Sequence, residues 1–534
     1  MSSIDRWQPR EELNRQEQAL MKRLDRVRKL LGFLRIYRRR LFDDAFQDEL
    51  ATMYRDTGAG KPPVPPALMA MATLVQAYLG VSDAEIVELT VVDLRVQMVL
   101  DRLGETAPAF SQGAIVDFRD RLIRADMDRR LLERTVELAR ETDGFDYRKL
   151  PRSLRVAVDS SPFEGAGRVE DTFNLLGHAA RNLVRCVARL LRWRPTTVAE
   201  RAGAEVLLMP SIKAALDIDW SDETEKAEAV VTLVEQMDKL ARWVERHVPE
   251  HLQPEVTPHL ATLRQIRSQD IEETPGTKAP RIIDGVAQDR RVSIEDGEMR
   301  HGRKSDSYAF CGYKRHVATD LDTGLILAAA ITPASVPERD ALPVLKDDLD
   351  EQHVEIGALY IDRGYIASDV VEELVAAGGE VVCRPWQQPN QGRFTKADFV
   401  FDMRARTITC PNNQTQPFSL GTSVKFDART CDRCSLRKHC TAAAKGQGRE
   451  VFIHPNELLQ HRLRKLAATP SGRAQLRERV PVEHRLAHLT QRQGDRARFV
   501  GIRKNTFDTR RAAALQNLET AHRSQREEEQ LQAA

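Results

Sequence analysis

The sequence has little of what secreted and membrane proteins need. Seven cysteines among 534 residues are too few for a secreted protein stabilised by disulfides. The first residues are polar and charged, without the apolar core of a signal peptide. No apolar run reaches the roughly 18 residues that a membrane span requires. We therefore expect a cytoplasmic protein without a membrane partner.

Two further shortages bear on function. There is no large excess of charge of one sign, because 81 Lys and Arg face 79 Asp and Glu and leave a net charge of +2. Overall charge thus neither favours nor excludes a nucleic-acid partner, and charge must be read segment by segment. Aromatic residues make up only 6% of the chain. This low content argues against a glycosidase with paired carboxylates, because a sugar-binding cleft is rich in aromatic side chains.

The order of predicted elements indicates a mixed α/β fold. Residues 1–150 are predicted as short helices joined by turns, a pattern typical of a DNA-binding domain and equally of any small helical bundle. Within residues 151–500, short apolar runs predict strands at 154–158 and 356–361, and residues 308–333 predict a β-hairpin. Helical patterns alternate with these strands, so we expect a mixed sheet with flanking helices.

Two insertions and a tail complete the expected organisation. Residues from about 165 to 285 repeat apolar positions at spacings of three and four, which predicts a helical insertion. Residues from about 386 to 475 hold polar turns and four cysteines, and we expect a small Cys-rich insertion there. We interpret residues 501–534 as a basic segment followed by a disordered tail.

Asp159 and Asp362 occupy equivalent positions, since each ends a short apolar strand and precedes small or turn-forming residues. Ligand sites in open α/β sheets gather beyond the carboxyl ends of strands, and two aspartates there can bind Mg²⁺, which prefers oxygen ligands. An aspartate in this position is equally often a turn residue or a helix N-cap, so both interpretations stay open. Glu483 lies at the edge of the apolar stripe of a helix predicted over residues 477–493, where a lone glutamate usually faces solvent.

Three stretches together resemble the DDE-type transposases of insertion sequences: VAVDSSPFEG, YIDRGY and RERVPVEHRLAHLTQRQG. The second resembles the Asp-x-Gly-Tyr that carries the second acid of that family, here Asp362. The third resembles the Tyr-x2-Arg-x3-Glu-x6-Lys signature around the third acid of a large branch. Arg479 and Glu483 match this signature, while Leu476 and Thr490 stand where it has Tyr and Lys.

The resemblance implies a fold, a site and a reaction. The core would be ribonuclease-H-like, and Asp159, Asp362 and Glu483 would form a catalytic triad that holds two Mg²⁺ ions, with Mn²⁺ as a substitute. The reaction would be cleavage at the ends of the element, leaving a 3′-hydroxyl, followed by strand transfer into target DNA. Two alternatives stay open: a metal-dependent DNA nuclease without strand transfer, and a non-catalytic DNA-binding protein derived from a transposase.

The resemblance also implies partners. These would be double-stranded DNA, as the terminal inverted repeats of the element and as target, and a second copy of the chain that pairs two ends in a homodimer. The protein would act in a prokaryotic cell on chromosomal or plasmid DNA.

Four of the cysteines fall close together in the sequence. Cys431 and Cys434 have the two-residue gap of zinc ligands, and Cys410 and Cys440 would complete a tetrahedral set of thiolates. We expect a structural Zn²⁺ site, with reduced thiols or a redox pair as the alternative.

Basic residues gather near the proposed third acid, where residues 477–511 hold ten Lys and Arg against four Asp and Glu. Such cations neutralise DNA phosphates without reading sequence. A second set lies near residues 303–315, and a third at residues 38–40, where a solvated helix face is the alternative. The predicted DNA contacts are Arg479, Arg363, Arg303, Lys304, Lys314, Arg485, Arg492, Arg496, Arg503, Lys504, Arg38, Arg39 and Arg40.

Overall fold

A computed structural model describes residues 4–24, 28–55, 62–142, 153–209, 211–273, 279–386 and 390–533. The predicted domain boundary after residue 150 lies outside these ranges.

The described part of the N-terminal region is all-helical, as the sequence predicted. Its helices are α1 (Arg15–Leu24), α2 (Lys29–Leu41), α3 (Asp44–Ala51), α4 (Pro66–Leu79), α5 (Asp83–Val92), α6 (Leu94–Val99), α7 (Gln112–Arg124) and α8 (Met127–Glu141). Side chains before several of these helices accept hydrogen bonds from the free N–H groups of the first turn, as Asp43 and Ser82 do. In the described residues no single helix is long and apolar enough to span a membrane, although the bent pair α4 and α5 passes by length and composition.

The helical insertion follows the first strand, β1 (Leu154–Glu164). Its elements are α9 (Thr172–Leu191), α10 (Pro195–Ala202), α11 (Ile212–Leu216), α12 (Glu223–His247), α13 (Gln253–Asp270), β2 (Ile271–Glu273) and β3 (Pro280–Ile282). The apolar stripes of these helices bury one another in a hydrophobic core separate from that of the main sheet. The insertion is therefore a packed subdomain with a core of its own.

The central sheet is mixed, with the strand order of a ribonuclease-H-like fold. Its later strands are β4 (Arg300–Ser305), β5 (Tyr308–Asp320), β6 (Ile326–Pro333), β7 (Ile356–Tyr360) and β8 (Glu380–Val382), with α14 (Leu342–Glu351) and α15 (Asp369–Ala376) between them. β1 pairs antiparallel with β5 and parallel with β7, which pairs parallel with β8. β4 and β6 pair with successive halves of β5, so the predicted hairpin forms.

The Cys-rich insertion is made of short elements around a small core of its own. They are β9 (Val400–Asp402), β10 (Thr407–Thr409), β11 (Thr415–Pro417), β12 (Ser423–Lys425), α16 (Ala428–Asp432), α17 (Arg437–Cys440) and β13 (Glu450–Phe452). Two helices, α18 (Glu457–Ala468) and α19 (Pro470–Arg477), then return the chain to the sheet, where α20 (Val480–Gln493) packs on β1 and β5.

The last helix departs from the sequence prediction of a basic segment and a disordered tail. Residues Ile502–Ala533 form one helix, α21, which packs against α8, α4, α20 and β6. The face of α21 that makes these contacts consists mostly of alanine and polar residues, so the sequence lacks the stripe of large apolar residues that indicates a buried helix. Asn517 illustrates the packing, because its side chain exchanges two hydrogen bonds with the backbone of Ile326 at the start of β6.

Candidate active site

Asp159 and Asp362 each follow the stretch over which β1 and β7 pair in parallel, but only Asp362 lies beyond the end of its strand. The prediction that the first strand ends at Asp159 is wrong, because β1 continues to Glu164 through its pairing with β5 and Asp159 lies within it, opposite Val317. In the β1–β7 pair, Ala157 stands opposite Tyr360. Asp159 and Asp362 each follow this pair by two residues, so the common strand direction carries both to the same place. Each carboxylate accepts a hydrogen bond from the backbone N–H of the next residue, at 2.9 Å for Asp159 and 2.7 Å for Asp362.

Arg479 joins the third predicted acid to the first. Its Nη2 donates to Glu483 Oε1 at 2.8 Å, and its Nη1 lies 3.0 Å from Asp159 Oδ2. Nη1 is buried and makes no hydrogen bond of good geometry, so the contact with Asp159 is an ion pair. Burial raises the pKa of the Cys383 thiol to about 12, and the charges of both Asp362 and Arg479 act on it as well. Arg479 therefore pairs with Asp159 and Glu483 at once, and the charge of Asp362 acts on the same Cys383 thiol as that of Arg479.

Helix α20 brings Glu483 to this position. Val482, Leu486 and Leu489 are buried and fix one face of the helix against the sheet. Pro481 stands in the first turn, where a missing N–H costs no hydrogen bond. Glu483 follows the buried Val482 at the rim of that face, and its side chain is 52% exposed. A helical glutamate therefore reaches the strand ends while still open to solvent.

The electrostatics of the site favour a cation. Burial raises the pKa of the Asp159 carboxyl, and the charge of Glu483 adds to the rise, while Arg479 and Lys304 act against it. Two carboxylates close together in a partly buried place are stabilised in their charged form by a positive partner. In this conformation the Arg479 guanidinium is the positive group that Asp159 and Glu483 share.

The donor chemistry of the three acids fits a hard divalent cation, which takes carboxylate oxygens and keeps part of its water. Throughout the described ranges, no group of three or more His, Cys, Asp or Glu side chains is spaced to hold a metal ion as it stands. For the three acids, the arrangement differs from a closed metal cage because the guanidinium of Arg479 lies between two of the carboxylates.

Two family models match the chain. The Transposase DDE domain matches residues 273–518, and the Transposase domain (DUF772) matches residues 18–121, so together they span most of the sequence. The chain belongs to the DDE transposases. Asp362 and Glu483 lie inside the first match, and Asp159 precedes it beyond the helical insertion. No curated protein and no solved structure matches the chain.

Two positions at which this transposase departs from the Tyr-Arg-Glu-Lys signature face inward. Leu476 is partly buried and packs against the main core. Thr490 accepts a hydrogen bond from Arg315 Nη2 at 2.6 Å, and Arg315 itself is fully buried beneath α20. Thr490 thus takes part in the joint between the helix and the sheet.

The transposase site also contains residues that the sequence prediction missed. Ser160 donates a short hydrogen bond to Glu338 Oε1, and Glu338 heads the turn that follows β6. Tyr365 is buried, and its hydroxyl hydrogen-bonds His316 Nδ1 at 2.8 Å. One local signal pointed to Glu338: it is an acid shortly after β6 and directly follows Pro337.

Five of the predicted DNA contacts belong to the segments that surround the three acids. Arg303 and Lys304 are exposed on β4, and the Lys304 charge reaches Asp159. Lys314 on β5 donates to the Val336 carbonyl at 2.9 Å. Arg363 directly follows Asp362, and Arg479 lies between the carboxylates. This transposase therefore presents a group of cations at the strand ends.

Burial removes Arg38 from the predicted DNA contacts. Its guanidinium is buried in the N-terminal domain and donates to the carbonyls of Met98, Val99 and Arg10 at 2.6–3.0 Å. Burial lowers the pKa of Arg38 to about 10. Its neighbours Arg39 and Arg40 are exposed, as the predicted DNA contact and the alternative of a solvated helix face both require.

Four more predicted DNA contacts have partners within the protein. Arg485 donates to Thr520 at 3.1 Å, Arg492 pairs with Glu519 at 2.7 Å, and Arg503 bonds Asp128. We assign these three to the packing of α21. Arg496 donates to the carbonyls of residues 165 and 166 just after β1, and Lys504 is exposed.

The four clustered cysteines line one small cavity of about 40 Å³ in the Cys-rich insertion. None forms a disulfide. Burial raises the pKa of the Cys440 thiol, and the charges of the other three thiols add to the rise, so all four lie within electrostatic reach of one another. Among the described residues, nevertheless, no group of three or more His, Cys, Asp or Glu side chains, these cysteines included, is placed to hold a metal ion.

Proposed function

We propose that this DNA transposase belongs to an insertion sequence, cuts the ends of that element to leave a 3′-hydroxyl, and joins that hydroxyl to target DNA. Two observations support the proposal: Arg479 pairs with both Asp159 and Glu483, and Asp159 and Asp362 each follow the Ala157–Tyr360 pair of the parallel β1–β7 contact by two residues. Cleavage and strand transfer are the same in-line displacement at phosphorus with different nucleophiles, so one site can serve both.

DDE transposases use divalent metal ions, and the proposal assigns two Mg²⁺ ions, or Mn²⁺ in their place, to Asp159, Asp362 and Glu483. When bound, such a pair activates the attacking oxygen and stabilises the leaving oxygen. The protein supplies the orientation of the carboxylates: β1 fixes Asp159, the turn after β7 fixes Asp362, and α20 sets Glu483 against them. The partly exposed Glu483 leaves the site open to a DNA strand.

The cations around the acids would bind the DNA backbone. Arg303, Lys304 and Arg363 lie on segments beside the carboxylates and can neutralise phosphates on either side of the scissile bond. Arg479 can bind the scissile phosphate bidentately once its carboxylate partners are otherwise engaged, because its planar fork matches phosphate oxygens.

The remaining parts of the proposal concern assembly. The N-terminal helices would recognise the terminal inverted repeats, and a homodimer would bring two ends together on chromosomal or plasmid DNA in the cytoplasm. The four cysteines would hold one structural Zn²⁺, which would draw the thiolates of the small cavity inward into tetrahedral geometry.

The test uses the genomic DNA on both sides of the gene as donor and a supercoiled plasmid as target. We expect Mg²⁺-dependent cleavage and joining, and a loss of at least about 100-fold in Glu483→Gln and in Asp362→Asn, because each variant loses a carboxylate ligand of metal ions whose transition-state stabilisation is worth several kcal/mol. Glu373→Gln, an exposed acid on α15, is the matched control. Wild-type cleavage by Glu483→Gln would overturn the triad. Cleavage without joining of pre-cut ends would identify a nuclease instead.

A further inference from the structure

Glu338 lies where the chain leaves β6, at the head of the turn Glu338–Ala341. Its Oε1 accepts a short hydrogen bond from the Ser160 hydroxyl. Ser160 is the residue after Asp159, and its own backbone N–H donates to the Asp159 carboxylate at 2.9 Å. Glu338 therefore holds the residue that orients the first acid.

The other oxygen of Glu338 faces the turn that follows the second acid. A Cβ built on Gly364 would collide with Glu338 Oε2, so only glycine lets the carboxylate come this close to the backbone. Gly364 belongs to the turn Arg363–Tyr365, which Asp362 caps through its bond to the Arg363 N–H. The Glu338 carboxylate thus contacts Ser160, next in sequence to Asp159, and Gly364, two residues after Asp362.

A buried hydrogen-bond chain fixes the far side of the same turn. The Tyr365 hydroxyl bonds His316 Nδ1 at 2.8 Å, and His316 Nε2 bonds the Thr332 hydroxyl at 2.9 Å. These partners come from β5 and β6, so the Asp362 turn is tied to the hairpin behind it. Glu338, in the turn that follows β6, closes the connection by holding Ser160 within β1. The separation of the two strand ends is therefore set on both sides.

We propose that Glu338 is a positioning residue that sets the separation of Asp159 and Asp362 and thereby the affinity of the site for divalent cations. The inference rests on the proposed function, because it assigns Glu338 to the same metal-binding acids. Parallel strands alone leave two like-charged carboxylates free to move apart, and the contacts of Glu338 with Ser160 and Gly364 oppose that movement. A partner that orients a metal ligand is typically worth about 10–100-fold in metal affinity.

The test measures Mn²⁺ binding to the full chain without DNA, by electron paramagnetic resonance of the free ion. We expect Glu338→Ala to weaken Mn²⁺ binding by about tenfold or more. Glu338→Gln should recover part of the affinity, because its amide oxygen can still accept from Ser160. Asp340→Asn is the matched control, since Asp340 stands in the same turn, is exposed and pairs only loosely with Arg339 at 3.4 Å.

Two further variants separate the possible failures. If Asp362→Asn loses Mn²⁺ while Glu338→Ala binds within twofold of wild type, the positioning role is wrong and the proposed metal site stands. If Asp362→Asn also binds like wild type, the proposed metal site itself is wrong. Should Glu338→Ala fail to fold, Ser160→Ala removes the same hydrogen bond from the other side, and unchanged Mn²⁺ affinity in that variant would equally overturn the inference.

Discussion

The interface between α20 and the sheet allows a quantitative prediction, because one buried guanidinium makes several of its hydrogen bonds. Arg315 on β5 is fully buried and donates to Thr490 Oγ1 at 2.6 Å, Gln493 Oε1 at 3.2 Å and the Gly494 carbonyl at 3.4 Å. Burial lowers its pKa to about 10, which shows that the charged group is held there at some cost. Replacing Arg315 by Met keeps the volume and removes every donor.

The cost of Arg315→Met follows from the acceptors that it leaves behind. A buried acceptor without a donor costs about 1–3 kcal/mol, and the two shortest bonds give a loss of about 2–6 kcal/mol. Removing the charge also removes the cost of burying it, so we expect about 2–3 kcal/mol. The stability of Arg315→Lys should fall between those of the wild type and Arg315→Met, because lysine keeps the charge and loses the planar fork.

Thermal unfolding followed by circular dichroism measures this loss, and Arg496→Met is the matched control. Arg496 also donates to backbone carbonyls, at 3.2 and 3.1 Å, but it is exposed, so we expect a change within about 0.5 kcal/mol. Because α20 carries Glu483, Arg315→Met should also lower DNA cleavage at temperatures where the protein stays folded. Equally small changes in stability for Arg315→Met and Arg496→Met would refute the role of Arg315 in holding α20 against the sheet.

Three more predictions concern other parts of the molecule. Burial, with the nearby Lys314 charge, lowers the pKa of His316 to about 3, whereas an unfolded histidine titrates near roughly 6.5. The contribution of neutral His316 to stability is therefore complete above the unfolded pKa and is lost as the pH falls toward 3, so His316→Gln should flatten the decline of the urea-unfolding free energy below pH 6.5. An unchanged slope of that free energy against pH would contradict this prediction. Arg38→Met should cost about 3 kcal/mol or more by urea unfolding, because it leaves buried carbonyls without donors, and Arg40→Met on the exposed face should cost almost nothing; equal losses would be the contrary result. Purified protein should contain one zinc per chain by elemental analysis, Cys434→Ser should lose it, and a zinc-free wild-type protein with an unchanged melting temperature would reject the structural zinc site.

Local pattern was sufficient to predict the sheet and the acids at its edge. β1, β7 and the hairpin are short apolar runs bounded by turn residues, and such runs are buried whatever lies around them. Because the second run ends at a polar residue, the position of Asp362 just after β7 followed directly, whereas Asp159 lies within β1, which continues to Glu164 through its pairing with β5. The apolar stripe of α20 likewise showed that Glu483 lies at the rim of a packed face.

Local pattern was insufficient wherever a charged residue is buried by distant partners. Arg38 and Arg40 stand two residues apart in the same basic run, yet only Arg38 meets backbone carbonyls some 60 residues away. Charged residues of helix α21 are buried because they form ion pairs with distant acids. Arg510 bonds both carboxylate oxygens of Asp348 at 3.0 Å and also bonds Asp126. Nothing in the neighbouring sequence marks such a cation as internal.

The amino-acid sequence by itself determined the mixed α/β architecture, because backbone periodicity and burial of apolar runs are properties of short segments, and the resemblance of three stretches pointed to the DDE transposases. The tertiary structure alone decided which cations stay exposed and which hold the fold, and it alone brought Glu338 into contact with the chain neighbours of both aspartates. These outcomes depend on contacts between residues that lie tens to hundreds of positions apart. A side chain carries the same charge whether it is exposed or buried, so its charge alone does not reveal which of the two it will be.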